Sequence, residues 1–114
     1  TKCMINEKTL GCMKPSAILF HAARGGIVNQ TDRYQALKNK ANAGAGLDVF
    51  DNEPPTDSAL LELDNVVLTP HTAAFTFEGM NNMSVGVVEQ LIAYYHGNKP
   101  VHTVNPEAWD AQKV

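Results

Sequence analysis

Near its middle the chain reads Ala43-Gly44-Ala45-Gly46-Leu47-Asp48-Val49. Only Asp48 is charged, and a run of this length is typical of a strand buried on both faces of a parallel sheet. The small residues at its start allow close packing against helices. We therefore predict a buried strand here, and the segments on either side indicate which kind of sheet contains it.

Two more apolar runs of strand length flank this segment. They are Ala17-Ile18-Leu19-Phe20 and Val66-Val67-Leu68, and we expect both to form buried strands. Residues 30–40 have the apolar spacing of a helix, and residues 58–63 form a helical turn capped by Ser58. This alternation of strand and helix favours an α/β fold in which parallel strands are joined by helical crossovers.

Further helices are predicted at both ends of the chain. Residues 6–13 form a short helix with Asn6 as its N-cap, and Pro15 prevents its continuation. Between residues 76 and 96, two rows of apolar side chains at helical spacing predict a long helix that is buried on more than one side. Gly97 follows this helix as its C-cap.

The composition is globular and gives no support for a nucleic-acid or membrane partner. In 114 residues, 9 Lys and Arg stand against 12 Asp and Glu, so the formal net charge is −3. There is no basic run, and no apolar stretch approaches the ~20 residues of a membrane span. The two cysteines, Cys3 and Cys12, suit a reduced cytoplasmic protein. Because the chain begins at Thr1 without a methionine, we interpret it as a fragment.

Each predicted strand is followed by a polar side chain that could take part in chemistry. Arg24 follows the first strand, Asp48 and then Glu53 the second, and His71 the third. Taken one at a time, Arg24 could pair with a surface acid, Glu53 could be a solvated loop charge and His71 could be a turn residue. In parallel strands, however, the carboxyl ends meet at one edge, where open α/β sheets bind ligands. His71 is then an acid–base candidate, Asp48 or Glu53 its orienting carboxylate, and Arg24 an anion-binding group.

The runs that carry these residues resemble the signatures of one protein family. They are Ala23-Arg24-Gly25-Gly26-Ile27-Val28, Gly46-Leu47-Asp48-Val49-Phe50 with Glu53-Pro54-Pro55, and Asn65-Val66-Val67-Leu68-Thr69-Pro70-His71. In order and spacing they resemble the D-isomer-specific 2-hydroxyacid dehydrogenases, from Thr1 to about Pro106. Glu53-Pro54-Pro55 and Val104-Asn105-Pro106 look most like phosphoglycerate dehydrogenase, which we favour, or hydroxypyruvate and glyoxylate reductases.

The resemblance implies a specific piece of the family fold. Residues 1–75 would be the second half of the NAD(P)-binding domain, that is, the C-terminal half of a doubly wound, Rossmann-like parallel sheet. Residues 76–114 would be a long helix and tail that return toward a substrate domain. The glycine turn that binds the cofactor phosphates would lie before Thr1, because no G-x-G-x-x-G sequence is present.

The resemblance also implies roles for individual residues. Arg24 would bind the substrate carboxylate and keto oxygen, and His71 would donate a proton as hydride arrives from the nicotinamide. Glu53 would hold the imidazole and favour its charged form. The cofactor, NAD with NADP not excluded, would contact Ala22, Ala23, Arg24, Asp48, His71, Ala73 and Ala74. The substrate would be a small 2-keto or 2-hydroxy acid, the intact parent a homodimer, and the fragment alone inactive.

Three alternatives accompany this interpretation. Formate dehydrogenases are similar but resemble a pattern with Gln at the position of Glu53. A corepressor-like interaction module could keep the same fold and the same three catalytic residues without turnover. A metal site made from His21, His71, His96 and the cysteines lacks any recognisable ligand spacing, so we expect no metal. His21 and Asn29 depart from the Asn and Asp that many members have, and neither is a catalytic position.

Overall fold

The structure is a computed structural model that describes residues 1–56 and 58–111. The chain divides into two compact units, Thr1–Ala73 and Ala74–Val114. The first unit contains the sheet and every residue predicted to be catalytic, and the second contains the long helix and the tail.

The sheet of the first unit is parallel throughout its described part. Strands β1 (Ile18–His21), β2 (Gly44–Leu47) and β3 (Val66–Leu68) lie in the order β1-β2-β3. Both pairs are parallel, with Leu19 opposite Ala45 in the first pair. The predicted α/β fold is therefore confirmed, and all three strands deliver their carboxyl ends to one edge.

Local capping determines where the short helices begin. Helix α1 spans Glu7–Gly11, and the side chain of Asn6 accepts hydrogen bonds from the backbone of Lys8 and Thr9, as predicted. The helix is shorter than expected because Cys12 already forms its C-cap. Helix α2 (Gln30–Lys38) begins after Asn29 in the same way, and Ser58 caps the 3₁₀ turn Ala59–Glu62.

The core lies on one face of the sheet only. Leu37 from α2, Leu47 from β2 and Leu60 from the 3₁₀ turn meet there and are almost fully buried. On the opposite face Phe20 is 78% exposed and Val67 is 70% exposed. The expectation that these strands are buried on both faces is therefore wrong for the described residues, because α2 and the 3₁₀ turn pack against the same face.

The second unit is mainly one helix, α3 (Phe77–Tyr95). Thr76 caps its start, and Gly97 follows its end with a φ of 72°, as a C-cap glycine requires. None of its residues is buried, so the prediction that it is buried on more than one side is wrong for the described part of the chain.

The tail of the second unit contains an element that the sequence did not predict. Helix α4 (Pro106–Ala111) follows α3, and its Trp109 ring meets the edge of Tyr94 on α3. No helix among residues 1–56 and 58–111 is long and apolar enough to cross a membrane.

Because the core lies on one face of the sheet, the stability of the first unit depends on a few buried leucine side chains. Leu60→Ala is expected to lower the free energy of unfolding of this chain by about 3 kcal/mol, because it leaves a cavity beneath β2. Leu61→Ala, at a half-exposed neighbour on the same turn, is the matched control and should change it by about 0.5 kcal/mol. Urea unfolding of both variants measures the difference, and equal effects would contradict this description of the core.

Candidate functional site

The structure brings Arg24, Glu53 and His71 together at the carboxyl edge of the sheet. Nδ1 of His71 lies 2.8 Å from Oε2 of Glu53, so the imidazole donates to the carboxylate. On the other side of the ring, Nη1 of Arg24 lies 3.4 Å from Nε2 of His71. Glu53 therefore holds one ring nitrogen, and the other is directed toward the guanidinium and toward any anion that the guanidinium binds.

Glu53 is held as an ionised acceptor. Its Oε1 atom accepts a hydrogen bond from the backbone N–H of Phe50 at 3.0 Å, so both oxygens have donors. The hydrogen bond from the His71 side chain, followed by the one from the Phe50 N–H, lowers the pKa of Glu53 below its ordinary value. The carboxylate is consequently charged at neutral pH and orients the imidazole.

The turn that carries Arg24 is fixed by its glycines and by an acid that follows β2. A Cβ atom on Gly25 would overlap the carbonyl oxygen of Phe50, so no larger residue fits there. Gly26 adopts a φ of 75° and donates its N–H to Oδ1 of Asp51 at 2.8 Å. Its carbonyl accepts the N–H of Cys3 at 2.8 Å. The guanidinium of Arg24 therefore extends from a rigid turn.

Two buried basic side chains, His21 and Arg33, lie close to this turn. Burial lowers the pKa of His21, and the neighbouring charge of Arg33 lowers it further. Burial also lowers the pKa of Arg33, while Asp51 acts in the opposite direction. His21 is therefore neutral at physiological pH and adds no charge beside Arg24.

Asp48 directly follows β2, which lies between β1 and β3 in the sheet. It is buried, and its carboxylate accepts hydrogen bonds from the Thr69 hydroxyl and from the N–H groups of Thr72 and Ala73. The hydroxyl of Thr69 is the largest cause of its lowered pKa, followed by those backbone groups and by the charge of His71, while burial opposes them.

Three of the residues expected to contact a cofactor are small side chains that follow strands of the sheet. Ala22 and Ala23 after β1, and Ala73 after β3, are exposed, so a flat ring such as nicotinamide could contact them. Ala74 is the first residue of the second unit. No glycine-rich phosphate turn leading directly into a helix occurs in the described residues, because Gly26 is followed by three residues before α2 begins.

Sequence reasoning missed two residues at this site. Lys2 and Asp51 line one open cavity of about 590 Å³ together with Arg24, Glu53 and His71. Asp51 follows β2 as Asp48 does, so its position could have been noticed. No sequence pattern points to Lys2. Backbone contacts of residues 3–5 with residues 26–29 place it at the site. Within the part of the chain that the structure describes, no three His, Cys, Asp or Glu side chains form a metal-binding group.

Comparison with known families agrees with this geometry. The sequence model of the family described as "D-isomer specific 2-hydroxyacid dehydrogenase, NAD binding domain" matches residues 1–73. The chain belongs to this family. Membership agrees with the resemblance and with NAD as the expected cofactor class. The matched residues form the unit in which the catalytic candidates lie.

Similar proteins extend beyond the length of this chain. A glyoxylate reductase of Pyrococcus furiosus is 47% identical over 99% of this chain and 34% of its own length. A glyoxylate/hydroxypyruvate reductase B of Enterobacter agglomerans is 45% identical over 94% of this chain and 33% of its own length. The chain therefore spans about one third of these relatives.

A solved structure confirms the fold. The NADPH-dependent glyoxylate/hydroxypyruvate reductase of Sinorhizobium meliloti, in complex with NADP and malonate, superposes with a TM-score of 0.75 at 40% identity. The match covers 82% of this chain and 29% of that structure. The arrangement of strands and helices in the first unit is thus that of this family's NAD-binding domain.

Proposed function

We propose that this chain supplies the acid–base and substrate-anchoring part of an NAD(P)H-dependent reductase of 2-keto acids. The observation that carries the proposal is the series of contacts from Glu53 through His71 to Arg24 at the sheet edge. A guanidinium beside an oriented imidazole suits a substrate with a carboxylate next to a carbonyl.

The residues would divide the reaction among them. Arg24 binds the carboxylate of the keto acid and places its carbonyl oxygen near Nε2 of His71. A nicotinamide cofactor, when bound, supplies the hydride that adds to the carbonyl carbon. His71 donates the Nε2 proton to the carbonyl oxygen, and the product is the 2-hydroxy acid. Glu53 keeps the Nδ1 proton in place throughout, so only one imidazole proton moves.

We propose glyoxylate or hydroxypyruvate as the substrate, in place of the phosphoglycerate dehydrogenase reaction that the sequence favoured. The relatives described above are named for these two keto acids. The cavity that contains Arg24 and His71 is open and is formed here from the first unit alone. The remaining two thirds of the relatives' length would complete the substrate domain and the phosphate-binding half of the cofactor site.

A chimeric enzyme tests this proposal. The segment of the NADPH-dependent Sinorhizobium meliloti reductase that aligns with this chain is replaced by the chain itself. We expect the chimera to oxidise NADPH with glyoxylate and to form glycolate, with a kcat on the order of 1 s⁻¹ or more. NADPH absorbance and product analysis measure the reaction.

The contradicting result is a folded chimera that binds NADPH and reduces neither glyoxylate nor hydroxypyruvate. Circular dichroism and NADPH fluorescence establish folding and cofactor binding. The same exchange in the Pyrococcus furiosus reductase provides a second, independent host. Inactivity in both hosts would favour a binding module that retains the fold without catalysis.

A further inference from the structure

One loop, residues 50–53, contacts both of the segments that carry the reacting groups. Its Glu53 carboxylate lies 2.8 Å from the His71 imidazole. Its Asp51 carboxylate accepts the N–H of Gly26 at 2.8 Å, in the turn that carries the substrate-binding guanidinium. The reaction steps above give Glu53 a role and leave Asp51 without one.

The turn that carries the guanidinium has little conformational preference of its own. Gly25 and Gly26 are consecutive, and glycine populates several backbone regions about equally, so outside contacts must select the observed conformation. In that conformation Gly26 has a φ of 75°. A Cβ atom on Gly25 would overlap the carbonyl oxygen of Phe50 and would lie 3.1 Å from Cα of Asp51. The loop therefore packs directly against the turn.

Asp51 and Cys3 hold the two polar backbone groups of Gly26. The carboxylate of Asp51 accepts the N–H, and the N–H of Cys3 donates to the carbonyl oxygen at 2.8 Å. The side chain of Arg24 is exposed, so its position depends largely on the backbone of this turn. Of the two contacts, only the one from Asp51 comes from the loop that also orients His71.

We propose that Asp51 is the positioning residue of Arg24. Its carboxylate ties Gly26 to the 50–53 loop and so holds the guanidinium at a fixed place relative to the imidazole that Glu53 orients. The catalytic consequence rests on the proposed function. The attachment of the turn to the loop is a property of the chain itself.

The charge of Asp51 has a second effect, which can be separated from its role as an acceptor. Arg33 on α2 is 2% exposed, and its Nε atom has no hydrogen-bond partner within the described part of the chain. Burial lowers the pKa of Arg33, and the charge of Asp51 opposes that effect. A buried cation destabilises the folded chain unless an anion lies near it. Loss of the charge should therefore affect stability, and loss of the acceptor should affect the turn.

The first test uses the 114-residue chain without cofactor or substrate. In ¹⁵N-labelled chain, the amide of Gly26 should exchange with solvent at least about tenfold more slowly than in an unstructured peptide. The protection should persist in Asp51→Asn, which keeps one acceptor oxygen, and should disappear in Asp51→Ala. Rapid exchange of Gly26 in the wild type, or protection that survives in Asp51→Ala, would overturn the proposal.

The second test measures glyoxylate reduction in the chimera. Asp51→Ala should raise the KM at least about tenfold and leave kcat within about threefold, because Glu53 and His71 are unchanged. Asp51→Asn should keep the KM within about threefold of wild type. The high-pH limb of reduction should stay in place in both variants. Asp64→Ala, which removes an exposed carboxylate of the same unit, is the matched control and should change neither constant.

Stability distinguishes positioning from a general structural defect. Both Asp51 variants remove the charge near Arg33, so both should lower the urea midpoint of the chain, while only Asp51→Ala raises the KM. An equal rise of the KM in both variants would show that activity follows stability and would overturn the positioning role. Asp51 also lines the open cavity that contains Arg24, where a carboxylate facing an anionic substrate would repel it. Both variants would then lower the KM, which would overturn the proposal as well.

The two levels of inference fail separately. If the wild-type chimera is inactive but Gly26 is protected as expected, the attachment of the turn stands and the proposed function fails. If Gly26 is unprotected while the chimera turns over, the proposed function stands and the role of Asp51 is overturned.

Discussion

His71→Ala is expected to lower the kcat of the chimera for glyoxylate by about 10³-fold, within the range that positioned acid–base groups contribute. The carbonyl oxygen would then lose its proton donor, because the ring nitrogen that lies 3.4 Å from the Arg24 guanidinium belongs to His71. The Kd of NADPH should change by less than about twofold, because the other six residues expected to contact the cofactor are unchanged.

The matched control is His102→Ala, which removes an exposed imidazole from the second unit. It should retain wild-type kcat. Steady-state kinetics with saturating NADPH, together with fluorescence titration of NADPH, separate turnover from cofactor binding. A His71→Ala enzyme with more than about one tenth of the wild-type kcat would exclude His71 as the proton donor.

Glu53→Gln is expected to lower kcat for glyoxylate reduction by about 100-fold near pH 8, where protonation of the imidazole depends most on a neighbouring negative charge. The glutamine keeps the size of the side chain and one acceptor oxygen but removes the negative charge. Without that charge, the side chain that lies 2.8 Å from the ring no longer balances the positive charge that His71 carries as a proton donor.

Glu89→Gln, an exposed position on α3, is the control for Glu53→Gln and should be indistinguishable from wild type. The loss in Glu53→Gln should also shrink as the pH falls, because solvent then protonates the imidazole without help from a carboxylate. A loss of equal size from pH 6 to pH 8 would show that the negative charge of Glu53 does not assist protonation of the imidazole.

Much of the fold could be predicted because the decisive signals are local. Asn6, Ser58 and Thr76 are side chains that can cap a helix start, and each does so. Short apolar runs separated by helical patterns leave a parallel sheet as the simplest arrangement. Gly97 ends α3 where a left-handed residue is required.

The segment that packs against an apolar face could not be predicted from these local sequence patterns. Phe20 and Val67 lie in apolar runs that are typical of buried strands, yet both side chains are exposed. The apolar rows of α3 likewise predicted burial, and none of its residues is buried. A pattern of apolar residues reports which surface is apolar, whereas burial depends on whichever segment packs against it. In this family the relatives are about three times as long as this chain.

The candidate site was predictable at the level of residues and not at the level of hydrogen bonds. Parallel topology alone assembles the segments that carry Arg24, Glu53 and His71, and the structure brings these side chains into contact. The sequence left open whether Asp48 or Glu53 orients the imidazole. Spacing cannot decide this, because both carboxylates follow β2, and only Glu53 has an oxygen within hydrogen-bonding distance of the ring.

The dependence of kcat/KM on pH, measured for the chimera and its Glu53→Gln variant, tests the central claim most directly. Reduction requires protonated His71 and oxidation of glycolate requires it neutral, so removing the carboxylate acts on both directions through one group. We expect the high-pH limb of reduction and the low-pH limb of oxidation both to move to lower pH, because the negative charge beside the imidazole is lost. If neither limb moves in the Glu53→Gln variant, the result would contradict a proton transfer by His71 that depends on the charge of Glu53.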